Sequence, residues 1–417
     1  MIDPLILLRA IHIAATALAS GTVFFMVLVA EPAASAALAD FPAMRRRLTW
    51  MVWIALAIAV LSGLAWLVWL SADIYGAPIV EVCLHGGVWS VLTDTRFGLV
   101  FTARFALAVL LGVLMLWPAT RLLQLAAAAG LIAFIALIGH AGATPGTAGN
   151  IHLVSDMVHL LAAGAWLGGL PALAMLLARA RHTDDAAWRR FASGATRRFS
   201  WLGIVSVGAL LASGIVNSWN LMGGPCELVT TDYGRLVLLK IGLFVAMVAI
   251  ATVNRFHLTP RLPETGALRA LERNSLAETG LGLCVLLFVG VLGTLSPSGH
   301  VHSMSAQVPS DAAFVHIHTG EAMAEVTIDP GRIGTAKARI RLLREDFTEF
   351  PAKSVELALD PPAAGPKIAR AAAHLPDGTW QVNALELPQP GVWTVRLIIP
   401  TDGGAPIVLD APIVIDR

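Results

Sequence analysis

The chain has 417 residues, 56% of them hydrophobic and 14% charged, with a formal net charge of +1. That is too apolar for a water-soluble protein of this length, and the near-zero net charge points away from a nucleic-acid partner. Cys83, Cys226 and Cys284 fit no zinc-ribbon spacing and define no disulfide framework, so a Cys83 to Cys226 pair is left open.

Apolar stretches of the roughly 18 residues or more that a bilayer requires occur eight times, at roughly 5–30, 49–72, 97–118, 120–140, 152–178, 199–222, 234–254 and 275–296. The first is expected to be a retained span. Ala17 and Ala19 mimic a leader cleavage site, yet the segment opens on Asp3 instead of a basic cluster, and apolar sequence runs on to Ala30. Basic residues concentrate in alternate connections: Arg45, Arg46 and Arg47, then Arg121, then six arginines between 179 and 198, then Arg255, Arg261, Arg269 and Arg273. Because such residues stay cytoplasmic, both termini are expected outside the cytoplasm, which is the periplasm if the cell is a double-membrane bacterium.

From about 305 onward the pattern changes to short alternating runs, "AEVTID", "AKARIRLL", "SVELALD", "TWQVNALEL", "VWTVRLIIP" and "IVLDAPIVI", separated by Pro, Gly and Asp. With "FVHIHT" they make about seven strands, the signature of a small antiparallel sandwich. The expected fold is therefore mostly α, a bundle of eight transmembrane helices over 1–298 followed by an all-β sandwich domain over 299–417.

The stretch "IHLVSDMVHLLAAGAWLGGL", 151–170, carries His152, Asp156 and His159 at i, i+4 and i+7, one helical face, with Trp166 continuing it. Met157 lies at the same level, about 100° around the helix. His140 and His152 fall near the outer surface; His159 and His12 lie about 10 Å deeper, on spans whose polar stripes are expected to face each other. Arg9, His12, Thr16 and Ser20 form the stripe of span 1. Arg104 and Lys240 fall level with the deeper histidines and are expected to pair with Asp156 or to reach toward the surface. Glu278, near the cytoplasmic end of span 8, reads as a proton or metal exit group or as the partner of a loop arginine. In the tail, "SGHVHSM" supplies His300, His302 and Met304, and "FVHIHT" supplies His316 and His318, which a strand directs to one side. Each of these histidines alone could simply glue helices together or sit at a surface. Grouped toward one membrane face they mark a site, and imidazole beside thioether suits copper. His12, His140, His152, Asp156, Met157, His159, His300, His302, His316 and His318 are the candidate metal ligands. The chain has no phosphate-binding loop of the G-x-x-x-x-G-K-[ST] kind and no evident nucleophile and base pair, so neither ATP-driven transport nor hydrolysis is expected.

Four segments carry a resemblance to a known family: "HLVSDMVHLLAAGAWLGGLPAL", "VLTDTRFGLVFTAR", "IATVNRF" and "NSLAETGLGLCVLLFVGVLGTLSP". Over most of 1–298 the chain resembles the CopD copper-resistance family of inner-membrane proteins. The tail "FVHIHTGEAMAEVTIDPGRIG" resembles the immunoglobulin-like domain of YcnJ-like copper proteins. The resemblance implies copper movement from periplasm to cytoplasm, alongside a periplasmic carrier of the CopC type or with the tail in its place. Two other readings stay open on the residues: a b-type haem protein with His12 and His159 as axial ligands, and a membrane scaffold that presents the sandwich. Phosphatase fusions test the orientation: a fusion at 417 is expected to be active and one at 183 inactive, and the reverse pattern would overturn it.

Overall fold

A computed structural model describes residues 4–34, 41–75, 78–138, 146–221, 227–293, 311–318, 322–344, 349–362, 367–401 and 406–416. They fall into two compact units, one of helices and one of strands, which divide near residue 300. The eight expected spans are all present as helices long and apolar enough to cross a membrane: α1 (Pro4–Ala33), α2 (Phe41–Ile74), α3 (Phe97–Leu114), α4 (Pro118–Leu137), α5 (Gly149–Arg181), α6 (Ala186–Trp219), α7 (Asp232–Arg261) and α8 (Thr265–Leu292).

Several helices outrun the apolar windows. The arginine-bearing stretch before residue 199 is the first part of α6, not a connection, because Trp188, Phe191 and Ala195 on one side of it are buried in the core while Arg190 and Arg197 face outward. The same holds for Arg45 to Arg47 at the start of α2 and for Arg269 and Arg273 in α8. A helix of this length exceeds the hydrocarbon layer of about 30 Å, so its charged end stands among the headgroups.

α1 is the axis of the bundle. Of its most apolar window 78% is buried, against 6% for α7, and it packs on α2, α4 and α8. Glycines let α1 and α5 approach backbone to backbone: a Cβ on Gly21 would strike Gly164 O and Gly168 Cα, and one on Gly168 would strike Ala17 O. In lipid such contacts supply the packing that the hydrophobic effect cannot. Gly168 and Gly169, followed by Pro171, also interrupt the helical ladder of α5.

The strand unit contains β1 (Ala313–His318), β2 (Met323–Asp329), β3 (Gly334–Leu343), β4 (Glu356–Asp360), β5 (Ile368–Ala371), β6 (Ala373–His374), β7 (Trp380–Leu387), β8 (Gly391–Ile399) and β9 (Ile407–Ile415). One antiparallel sheet has the order β1-β2-β3-β7-β6 and the other β5-β4-β8-β9. The seven expected strands are among them; β5 and β6 are additional and too short to show alternation. Every second residue of β8 is buried, Trp393, Val395, Leu397 and Ile399, and these meet Ile340, Leu357 and Trp380 in one core between the sheets. Pro412 lies on β9, which pairs only with β8, so its missing N–H breaks no second ladder.

Gly168→Ala is expected to destabilise the helical unit by about 1–3 kcal/mol through overpacking. It should lower the thermal unfolding midpoint in detergent, whereas Gly203→Ala and Gly208→Ala, where a Cβ meets nothing within 4 Å, should leave it in place.

Candidate functional site

Two polar clusters of the helical unit hold the described histidine candidates, and of the two cations expected beside Asp156 only Lys240 is found there. The first is built on α1. Arg104 of α3 donates from Nη1 to His12 Nε2 at 2.8 Å, from Nε to Leu131 O at 3.3 Å and from Nη2 to Thr16 Oγ1 at 3.4 Å. A guanidinium has no acceptor, so Nε2 of His12 must hold its lone pair toward Arg104, and Nδ1 carries the proton. That Nδ1 donates to Ala59 O at 2.8 Å. Both imidazole nitrogens are thereby engaged. The ring fits against α2 because residue 63 is glycine; a Cβ there would lie 3.0 Å from His12 Cε1. Arg9 donates to Gly293 O at 2.7 Å and stacks 5.3 Å from the centre of the Trp66 ring. Ser20 donates to Ala128 O at 2.9 Å.

These bonds correct two expectations. Arg104 pairs with His12, not with Asp156, because the shared depth of two residues does not fix which way around the bundle each one faces. His12, Thr16 and Ser20 of the span 1 stripe find their described partners on α2, α3 and α4, while Asp156 and His159 of the span 5 stripe find theirs on α6 and α7, so these residues belong to separate clusters. In this arrangement copper or haem iron could reach His12 only by displacing Arg104 or the Ala59 carbonyl.

The second cluster is built on α5. Asn217 of α6 donates from Nδ2 to Asp156 Oδ1 at 3.2 Å. Lys240 of α7 lies close enough to interact electrostatically with both Asp156 and His159, and Tyr233 interacts with Asp156. Ser155 donates to Ser213 O at 3.2 Å. The Ser213 hydroxyl donates to Ala209 O at 2.6 Å, which leaves its oxygen to accept from His159 Nδ1 at 3.0 Å. His159 is thus held as the Nδ1–H tautomer, and its Nε2 lone pair has no partner among the described residues, the form in which a neutral imidazole ligates a metal. His152 is buried nearer the start of α5, and Met157 is half-buried beside Asp156.

Sequence reasoning misses Ser213, Asn217 and Tyr233. The available signal is spacing: Ser213 and Asn217 are i, i+4 in an apolar helix, and Tyr233 and Lys240 are i, i+7. Glu278, for which a loop arginine was one expected partner, accepts instead from Asn254 Nδ2 at 2.7 Å.

The remaining candidates are less fully placed. His140, His300, His302 and Met304 lie outside the described residues. His316 and His318 are on β1, opposite Glu325 and Met323 of β2, and their side chains are outside the described set. Burial pushes the Glu325 carboxyl above its ordinary pKa, opposed by Arg341 at 4.0 Å. Among the described residues, no three His, Cys, Asp or Glu side chains converge as a ready-made metal cage. Cys83 and Cys284 are free and exposed, and Cys226 is outside the described set.

The family model described as copper resistance protein D matches residues 193–292, and that described as copper resistance protein D-like, N-terminal domain, matches residues 1–150. The inner membrane protein YebZ of Escherichia coli is 37% identical over 217 residues, 50% of this chain and 72% of YebZ. Copper resistance protein D of Pseudomonas syringae pv. tomato is 31% identical over 221 residues, 51% of this chain and 68% of that protein. This chain belongs to the copper resistance protein D family. The copper transport protein CutJ of Bacillus subtilis is 29% identical over 284 residues, 65% of this chain and 48% of CutJ. No solved structure matches. Within the family frame, His12 and Arg104 fall in the N-terminal match and Ser213, Asn217 and Lys240 in the second, while the α5 stripe lies between the two.

The two clusters predict unequal losses of stability. His12→Ala removes a hydrogen bond to a buried cation and should cost about 1.5–3 kcal/mol of stability. His159→Ala, which removes only a bond to a hydroxyl, should move the unfolding midpoint less. Thermal unfolding of both purified variants checks this, and a larger loss in the His159 variant would reverse the assignment.

Proposed function

We propose that this protein handles copper at the inner membrane and moves it from the periplasm toward the cytoplasm past the polar cluster of α5, α6 and α7, along a cleft that these helices would open there. The observation that carries the reading is His159, held by Ser213 and with no partner for its second nitrogen among the described residues, beside the half-buried Asp156. Its relatives are named for copper resistance, copper transport and the inner membrane, which supports the same reading. Asp156 needs a positive neighbour whether or not a metal is present, and Lys240 is that neighbour. An arriving copper ion takes over the neutralisation of Asp156 and binds His159 Nε2, with His152 and Met157 on the same helix as the outer donors. His140, at the end of span 4, would join His152 at the entrance.

The sandwich domain is read as periplasmic. His300, His302, His316 and His318 would capture copper there or receive it from a carrier of the CopC type. The haem reading draws no support from the site, since both nitrogens of His12 are engaged and His159 belongs to a different cluster.

Purified protein loaded with Cu(I) is expected to retain near-stoichiometric copper and to show no Soret band. Replacing His152 and His159 should abolish retention, and Ser213→Ala should weaken it by about 10–100-fold through loss of ring orientation. Reconstituted vesicles should then take up copper only with the unmodified protein. A Soret band with bound iron, or copper retained after both replacements, would overturn the proposal.

A further inference from the structure

Beyond Trp166, on the part of the bundle farther from Asp156, helices α5 to α8 enclose a cavity of about 240 Å³. Its walls are mostly apolar, with Leu170, Phe199, Val207 and Val248 among them. Glu278 of α8 stands in this wall with only 1% of its surface exposed. Asn254 Nδ2 donates to Glu278 Oε1 at 2.7 Å, and Asn254 Oδ1 in turn accepts from Asn274 Nδ2 at 2.7 Å. The second carboxyl oxygen makes no close hydrogen bond among the described residues, and the indole N–H of Trp166 is directed at the carboxyl.

Among the described residues no ion pair holds this carboxyl. The other charged group lining the cavity, Arg255 on α7, is committed elsewhere: its Nη1 donates to Ser200 Oγ at 2.8 Å, and its guanidinium stacks 4.6 Å from the centre of the Trp201 ring. The remaining polar groups that face the space are neutral, Thr196 and Ser200 on α6, Thr252 and Thr259 on α7, and Ser275 on α8. A metal ion is poorly served here, because Asn254 presents its N–H to Glu278 and spends its oxygen on Asn274. A proton needs only the carboxylate. The ladder of α7 widens into a π-helix over Asn254–Leu258 at this point, a departure that recurs at functional sites.

The cavity also meets the polar stripe of α5. Trp166 shares the face of His159 two turns further along. It packs edge-on against Phe244 at 6.1 Å, and on α7 Phe244 and buried Met247 come between Lys240 and Asn254. An apolar layer thus divides the Asp156 cluster from Glu278.

We propose that Glu278 is a proton-binding site, open toward the arginine-rich side of the membrane, that couples proton movement to the passage of copper through the cleft. The coupling rests on the transport reading above; the proton site itself does not. The step is carboxylate plus proton to carboxylic acid, with the proton drawn from and returned to water at the cavity's open side, where Phe256 is exposed.

Glu278→Gln keeps a carbonyl oxygen for Asn254 and removes the proton. In an infrared pH titration of the purified full chain without copper, the protonated-carboxyl band expected for the unmodified protein should be lost in E278Q. In vesicles, an imposed pH gradient should alter Cu(I) uptake by the unmodified protein and leave uptake by E278Q unaffected. If E278Q does not assemble, Glu278→Asp should shift the midpoint of the band. A band and a gradient response that survive E278Q, or a midpoint unmoved in E278D, overturn the proposal. Should the unmodified protein move no copper at all, the transport reading fails, and the infrared titration still decides whether Glu278 binds the proton.

Discussion

A charged side chain inside a hydrocarbon layer has to be matched within the protein, because no water is there to do it. Arg104 is matched by a histidine, a carbonyl and a hydroxyl, Asp156 by an amide and a lysine, and Glu278 by an amide and an indole N–H, with no cation among the described residues. The three solutions differ in how much freedom they leave. Arg104 has all three nitrogens engaged and ties α1, α3 and α4 together. Asp156 sits beside a cation, and one oxygen of Glu278 makes no close hydrogen bond among the described residues. The first is a structural clasp; the other two are the sites on which the proposals rest.

The clasp depends in turn on α1 being central. Its close approach to α5 through Gly21, Gly164 and Gly168, and to α8 at Gly290, where a Cβ would lie 2.7 Å from Ile6 O, leaves little room for either neighbour to shift at those points. The Asp156 cluster involves neither α1 nor its glycine contacts. It is formed by α5, α6 and α7, and α7 is the least buried span of the bundle. Rigid packing and the proposed path therefore meet only on α5, where Gly164 and Gly168 lie about one to three turns beyond Asp156 and His159.

The existence of the eight spans and seven of the strands is legible in the sequence, because long apolar runs and strict alternation are each dictated by a single environment. The helix ends are not. Arg189, Arg190, Arg197 and Arg198 depress the local hydropathy of a segment that nevertheless stays helical, held by Trp188, Phe191 and Ala195. The α5 stripe is legible from its i, i+4, i+7 spacing, but its partners are not: Ser213 and Asn217 look like ordinary polar glue until His159 and Asp156 are seen to lean on them. Depth from helix rise puts Arg104 and His12 at one level, and their contact bears this out. Rise carries no information about direction around the helix, so the same reasoning pairs Arg104 with the wrong acid.

The arginine-bearing ends of α2, α6 and α8 have a mechanical consequence. Drawing one arginine to the bilayer centre costs about 2.5–3.5 kcal/mol, and each of these helices carries at least two. They act as floats that pin their helices along the membrane normal. A helix pinned in that way cannot travel through the bilayer like a lift with its cargo. What remains open to it is tilting in place, so access to the cleft from one side and then the other would come from rocking within the bundle.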